Sequence, residues 1–126
     1  MTTALILFAH GARDPEWANS MRRVQAAVRQ RMTSVPVELA FLEFMVPTLP
    51  DRAAELIAQG ADKIVVMPMF IARGGHLRKE VPEMIEALRV KYPDVAFSVG
   101  NAIGEHELVV QAMATAALEV AGLPFA

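Results

Sequence analysis

The sequence predicts an α/β fold in which a four-stranded parallel sheet carries helices on both faces. Three observations lead there. Short, strongly apolar segments of strand character recur along the chain as "ALILFA", "VELAFLEF", "KIVVMPMF" and "VAFSVG". Each is followed by a stretch with helical signals, and the resulting β-α-β-α-β-α-β-α alternation is met most economically by parallel strands with right-handed crossovers. The chain has 126 residues, 54% hydrophobic and 21% charged, which suits one packed domain over residues 1–126. That length buries a single core but is short for enclosing a large ligand alone.

The first strand, residues 4–9, is a continuous apolar run, the pattern of a strand covered on both faces. Asp14-Pro15-Glu16 then supplies an N-cap, a proline at the first helical position and an acid suited to a helix N-terminus. Trp17, Met21, Val24 and Val28 form one apolar stripe on a helix running to about Met32. Residues 37–44 read as the second strand. The next helix, in "TLPDRAAELIAQG", is capped by Thr48, with Asp51 at its third position, and closed by Gly60. Residues 63–70 make the third strand, where Pro68 lacks a ladder donor and marks a bulge or a strand end. "IARGGHLRKE" is expected to be irregular, with Pro82 at an early turn of the helix that continues through "PEMIEALRVKY". Residues 95–100 and 105–121 complete the pattern as a strand and a helix. The expected architecture is a flavodoxin-like three-layer sandwich with strand order 2-1-3-4. In that order the first and third strands are neighbours at a switch point, and such sheets bind ligands beyond the strands' carboxyl ends.

Twelve basic and fourteen acidic residues leave a formal charge of -2, which offers nucleic acid no bulk attraction, so any anion site has to be local. The absence of cysteine removes disulfides, thiolate metal ligands and thiol nucleophiles, and accords with a reducing compartment. No apolar run approaches the roughly 18 residues of a membrane span, and the N-terminus has neither a basic start nor a cleavage signal. A soluble, cytoplasmic chain without membrane or nucleic-acid partners is expected.

Three groups follow predicted strand ends: His10 after the first, Glu43 near the end of the second, and His76 in the segment after the third. Adjacent strands would bring these two imidazoles and one carboxylate to a single crevice. Neutral imidazole ligates zinc, nickel, cobalt and iron and titrates near neutral pH; a carboxylate beside it can orient the ring or accept protons. Each residue also has a plainer reading. A histidine after a strand is commonly a turn residue, Glu43 can be a solvated acid, and His106 in "GEHELVV" belongs to the first turn of a helix. Gly74 and Gly75 beside His76 allow close backbone approach. Arg13, Arg73, Arg78 and Lys79 are either exposed loop charges or the attraction for a ligand with several carboxylates. Met45, Met67, Met69 and Phe70 could wall a flat ligand, although core packing is the safer assignment. "HGARD" is not a glycine-rich phosphate loop, and neither "GKS", "GKT" nor "GxSxG" occurs. A histidine phosphatase would carry arginine where this chain has Ala9, which weakens that reading.

"LILFAHGARD", "FLEFMVPTLPD" and "KIVVMPMFIARGGHLRKEVPEM", with the closing "GNAIGEHELV", resemble in order and spacing the small class II chelatases, the family that inserts cobalt or iron into sirohydrochlorin. The likeness spans nearly the whole chain, and each block sits at a strand end. It implies a single chelatase-like lobe and insertion of a divalent metal into a tetrapyrrole on the way to cobalamin or sirohaem. By position, His10 and His76 match the family's histidines, which would bind the incoming metal and help remove pyrrole protons. Glu43 matches the acid of the middle block, as auxiliary base or metal guide. Two departures stand out: Ala12 replaces the usual serine after histidine-glycine, and Glu80 precedes Val81-Pro82 where aspartate precedes isoleucine-proline. Metallation strips water from the metal, deforms the macrocycle and removes two pyrrolic protons. It therefore needs exchangeable ligands and nearby bases rather than a closed cage. The metal is a substrate, cobalt or iron with nickel also compatible, since borderline nitrogen and oxygen ligands accept all three, and no organic cofactor is implied. Longer family members hold two lobes in one chain, so the resemblance implies a homodimer with the cleft between subunits. Two other readings remain at this stage: a non-catalytic carrier of metal or tetrapyrrole, and a histidine-dependent phosphoryl-transfer enzyme using His10.

Overall fold

A computed structural model of the chain describes residues 2–72 and 74–124, with the backbone alone of His76. Strands β1 (Thr3–Ala9), β2 (Val37–Phe41), β3 (Lys63–Pro68) and β4 (Ala96–Val99) form one parallel sheet in the order β2-β1-β3-β4, as predicted. Helices α1 (Asn19–Arg31), α2 (Leu49–Ala58), α3 (Gly75–Lys91) and α4 (Glu107–Ala121) alternate with the strands. Among the described residues no helix is long and apolar enough to cross a membrane.

β1, apolar throughout after Thr3, is central, and its alternating side chains serve two cores. Ala4, Ile6 and Phe8 meet Ile64 and Val66 of β3 under α2 and α3, which contribute Leu49, Ala53, Leu56, Leu77, Val81, Ile85 and Leu88. Leu7 and Ala9 point the other way, joining Val37, Leu39 and Phe41 of β2 beneath Met21, Val24 and Val28 of α1. At about 25 cal/mol per Å² of apolar surface removed from water, these two faces supply the main driving force for folding. α4 lies in neither cluster, and none of its residues is buried.

Local signals account for most element ends. The Asp14 carboxylate accepts the Glu16 N–H at 2.9 Å, opening a 3-10 turn over Pro15–Ala18 before α1. That tighter turn takes Trp17 off the predicted stripe and leaves it 41% exposed. The Thr48 hydroxyl accepts the Asp51 N–H at 3.3 Å, the predicted cap of α2. Thr48→Ala should cost about 1 kcal/mol, read as a lower urea midpoint with an unchanged slope.

Three of the boundaries that differ from the sequence reading have a clear cause. β2 stops at Phe41 rather than Phe44, because Phe44 adopts a left-handed backbone with φ 65° that ends any extended run. β3 ends at Pro68, which selects the strand-end alternative over the bulge. α3 starts at Gly75, so the segment expected to be irregular is largely helical and Pro82 lies inside the helix. The stripe Leu77, Val81, Ile85 and Leu88, all buried, draws that segment onto the sheet.

On both outer strands side chains occupy outward carbonyls. On β2, Gln25 Nε2 and Arg29 Nη2 donate to the Val37 carbonyl at 2.8 and 2.9 Å, and Arg52 Nε donates to that of Leu39 at 2.8 Å. On β4, Arg89 Nη2 donates to the Phe97 carbonyl at 3.0 Å. Such donors blunt strand edges against edge-to-edge pairing.

Candidate functional site

The carboxyl ends of β2, β1 and β3 lie side by side, and each leads into one of the candidate residues. His10 is the first residue after β1. Its ring packs on Phe70 with centroids 4.4 Å apart and planes tilted by 49°. Phe70 is itself buried and meets Phe8 edge-on at 5.9 Å, so the imidazole leans on a ring the core holds in place. His10 as a whole is half-buried at the sheet's end.

Glu43, two residues past β2, is exposed. The loop that carries it is tied to the first strand by backbone: Leu42 N–H donates to the Ala9 carbonyl at 2.9 Å and Glu43 N–H to that of His10 at 3.0 Å. Gly11 makes this approach feasible. Its φ is 86°, and a Cβ there would sit 1.9 Å from the Glu43 carbonyl oxygen. The histidine and glutamate backbones thus meet across a gap that only a residue without a side chain can fill.

His76 is the second residue of α3 rather than part of a loop. Its side chain and the whole of Arg73 lie outside the described residues. Among the described side chains no group of three or more His, Asp or Glu gathers to hold a metal. Gly74 caps α3, and among the described residues a Cβ on Gly74 or Gly75 would meet nothing within 4 Å, so the close approach that the glycine pair suggested is not made by any of them. Arg78 is exposed on the first turn of α3. Lys79 stands 4.0 Å from Glu83 in an exposed pair.

Arg13 stacks its guanidinium 4.9 Å from the Phe44 ring centroid. Both line an open depression of about 300 Å³ with Ala12, Arg22, Met45 and Val46. Phe44, Val46 and Ile71 are 58%, 85% and 72% exposed, forming apolar surface at the same edge. The methionines of the sequence reading are half-buried against the α1-side core, and Phe70 is in the other core, so packing is their main role. Sequence reasoning missed Gly11, Phe44, Arg22 and Gly104. Gly104 N–H donates to the Phe70 carbonyl at 3.0 Å, and a Cβ there would fall 2.0 Å from the Ile71 carbonyl oxygen. A glycine directly after a strand-end histidine was the available signal for Gly11. His106 is the N-cap of α4, its Nδ1 accepting the Leu108 N–H at 3.2 Å, which places it just outside the helix turn predicted for it.

The family model described as CbiX matches residues 4–120. The sirohydrochlorin cobaltochelatase of Priestia megaterium is 32% identical over 112 residues, covering 89% of this chain and 36% of that protein. The CbiX protein structure from Marinobacter aquaeolei VT8 superposes with a TM-score of 0.84 at 28% identity, covering 95% of this chain and 98% of that one. SirB from Bacillus subtilis with Fe3+ gives 0.80 at 29% identity, covering 99% of this chain and 49% of SirB. The chain thus spans about a third of the Priestia protein and half of SirB.

Proposed function

The chain belongs to the CbiX family, and on that premise we propose that it inserts a divalent metal, cobalt or iron, into sirohydrochlorin. The observation that carries the proposal is the seating of His10 on Phe70 at the carboxyl end of β1, with the Glu43 loop bonded to its backbone. The relatives support the substrates: one is a sirohydrochlorin cobaltochelatase, and SirB is a structure with iron.

In this reading His10 and His76 exchange for metal-bound water and hold the ion while the macrocycle takes it. Two pyrrolic N–H bonds break while four ring nitrogens replace the metal's former ligands, so the net products besides the metallated ring are two protons and the released ligands. The Glu43 carboxylate, and each imidazole as the metal leaves it for the ring, receive them and pass them to water. The exposed Phe44, Val46 and Ile71 offer the ring's faces an apolar seat, and the Gly74-Gly75 backbone leaves room for it. Arg13, Arg73 and Arg78 pair with its peripheral carboxylates. Arg13→Ala should raise KM for sirohydrochlorin about tenfold, the worth of one charged hydrogen bond, with kcat little changed.

The depression beside Arg13 and Phe44 is open and about 300 Å³, small for enclosing a tetrapyrrole, so we place the substrate between two copies of the chain, as a homodimer. A cytoplasmic setting belongs to the same proposal and accords with a chain free of cysteine. The test is direct: purified protein, sirohydrochlorin and cobalt(II) or iron(II), with metallation followed by absorbance. Multiple turnovers above the spontaneous rate are expected. Tight binding without turnover would assign a carrier role instead, and no effect on either would end the proposal.

A further inference from the structure

The outer edge of β2 offers hydrogen-bond donors while its acceptors are occupied. In a parallel strand the N–H and C=O of one residue point to the same side. Pro36 and Leu42 bond to β1, so Val37, Leu39 and Phe41 turn their backbone outward. The Val37 carbonyl accepts from Gln25 Nε2 and Arg29 Nη2 at 2.8 and 2.9 Å, and the Leu39 carbonyl from Arg52 Nε at 2.8 Å. The Phe41 N–H donates to the Pro47 carbonyl at 2.9 Å. The N–H groups of Val37 and Leu39, about 6.6 Å apart along the edge, find no acceptor among the described residues.

Guanidinium groups reach this edge from both helical layers. Arg22 and Arg29 come from α1 and Arg52 from α2, and with Gln25, Glu38 and Leu39 they line an open depression of about 320 Å³. Two carboxylates answer two of the three cations: Glu38 stands 2.9 Å from Arg29 and 3.6 Å from Arg52, and Glu55 stands 3.2 Å from Arg52. Among the described residues Arg22 has no such partner. Its Nη1 donates to Asn19 Oδ1 at 2.8 Å and to the Pro15 carbonyl at 3.4 Å, both neutral, and its Nε and Nη2 remain as donors. The helix that carries it, NSMRRVQAAVRQR, holds four arginines and no acid, so a positive potential covers this side of a chain whose formal charge is -2.

A peptide strand does not suit such an edge, because the N–H groups it brings would meet carbonyls that are already bonded. A ligand made only of acceptors does. We infer that the β2 edge binds a small oxyanion, inorganic phosphate or the carboxylate of a small acid, held by the Val37 and Leu39 N–H groups and by Arg22, with Gln25 and Arg29 beside them. Charged hydrogen bonds of this kind are about twice as strong as neutral ones, and the anion supplies the charge that Glu38 and Glu55 leave unmet. The site abuts the Glu43 loop through Val46 and Pro47, which line the same depression, but it draws on neither His10 nor Glu43 and so goes beyond the metallation proposed above.

Amide nitrogen–proton correlation spectra of the full chain, recorded with inorganic phosphate, succinate or sodium chloride at matched ionic strength, test this without metal or tetrapyrrole. Phosphate or succinate should move the Val37 and Leu39 signals along a saturating curve at low millimolar concentration, while chloride leaves them in place. Whichever of the two saturates at the lower concentration identifies the source of the oxyanion. Arg22→Gln should weaken binding about tenfold, the worth of one charged hydrogen bond, and Arg22→Lys should restore part of it. Arg23→Gln removes the same charge from the same helix outside the depression and should change binding by less than about twofold. Signals that drift alike in all three salts mark diffuse screening and overturn the inference, as does a loss on Arg23→Gln equal to that on Arg22→Gln. The wild-type spectra alone can sink it, so the test stands even where Arg22→Gln fails to fold.

Discussion

His10→Ala should slow cobalt(II) insertion into sirohydrochlorin by about 10²- to 10⁴-fold, the range that one positioned acid–base group supplies, and His76→Ala should do likewise. The measurement is the initial rate of the absorbance change, with the spontaneous reaction subtracted. His10 sits after β1 and outside the buried set, so its replacement should leave the unfolding free energy from urea titration within about 0.5 kcal/mol of wild type. Rate and stability therefore separate. If both histidine variants turned over like wild type, neither imidazole would handle metal or protons, and the role assigned to this edge would have to move elsewhere.

The largest expected effect on stability comes from Gly11→Ala. A methyl group there would meet the Glu43 carbonyl oxygen at 1.9 Å while the residue keeps φ at 86°. The backbone has to shift to relieve the overlap, and doing so stretches the hydrogen bond from Glu43 to His10. A loss of about 3 kcal/mol is expected, a fall in Tm of about 12 °C for a domain of this size. Gly60→Ala is the control. Its φ of 105° is equally unsuited to alanine, but nothing lies within 4 Å of the added carbon, so only the backbone term of about 1 kcal/mol remains. Equal losses at the two positions would show that the contact with Glu43 carries no weight.

The strand order was legible because alternation of strand and helix, right-handed crossovers and a fully apolar first strand leave few arrangements. The caps at Asp14 and Thr48 were legible because a cap is a local event between a side chain and an N–H two or three residues on. The start of α3 was not. Gly74-Gly75 and Pro82 argue locally against a helix, and they are outweighed by burial of Leu77, Val81, Ile85 and Leu88 against a sheet that the local pattern does not contain. Phe44 shows the same limit from the other side: an aromatic residue after "FLE" extends a strand pattern, yet the turn back toward Pro47 requires a left-handed backbone there. At the site, the positions of His10 and Glu43 beyond neighbouring strands could be read from topology. The support of His10 by Phe70 could not, since it joins residues far apart in the chain through a ring that composition assigns simply to the core.

β1 is flanked by β2 on one side and β3 on the other, and its side chains enter both cores. Amide protons of such a segment exchange with solvent only when the whole domain opens, so those of Ile6 and Phe8 should be the slowest in the molecule and those of α4, which joins neither core, among the fastest. His10 rides on the end of the slowest segment. Its position is therefore lost together with the domain's cooperative structure rather than before it, and on warming, the chemistry that depends on it should persist up to the global transition.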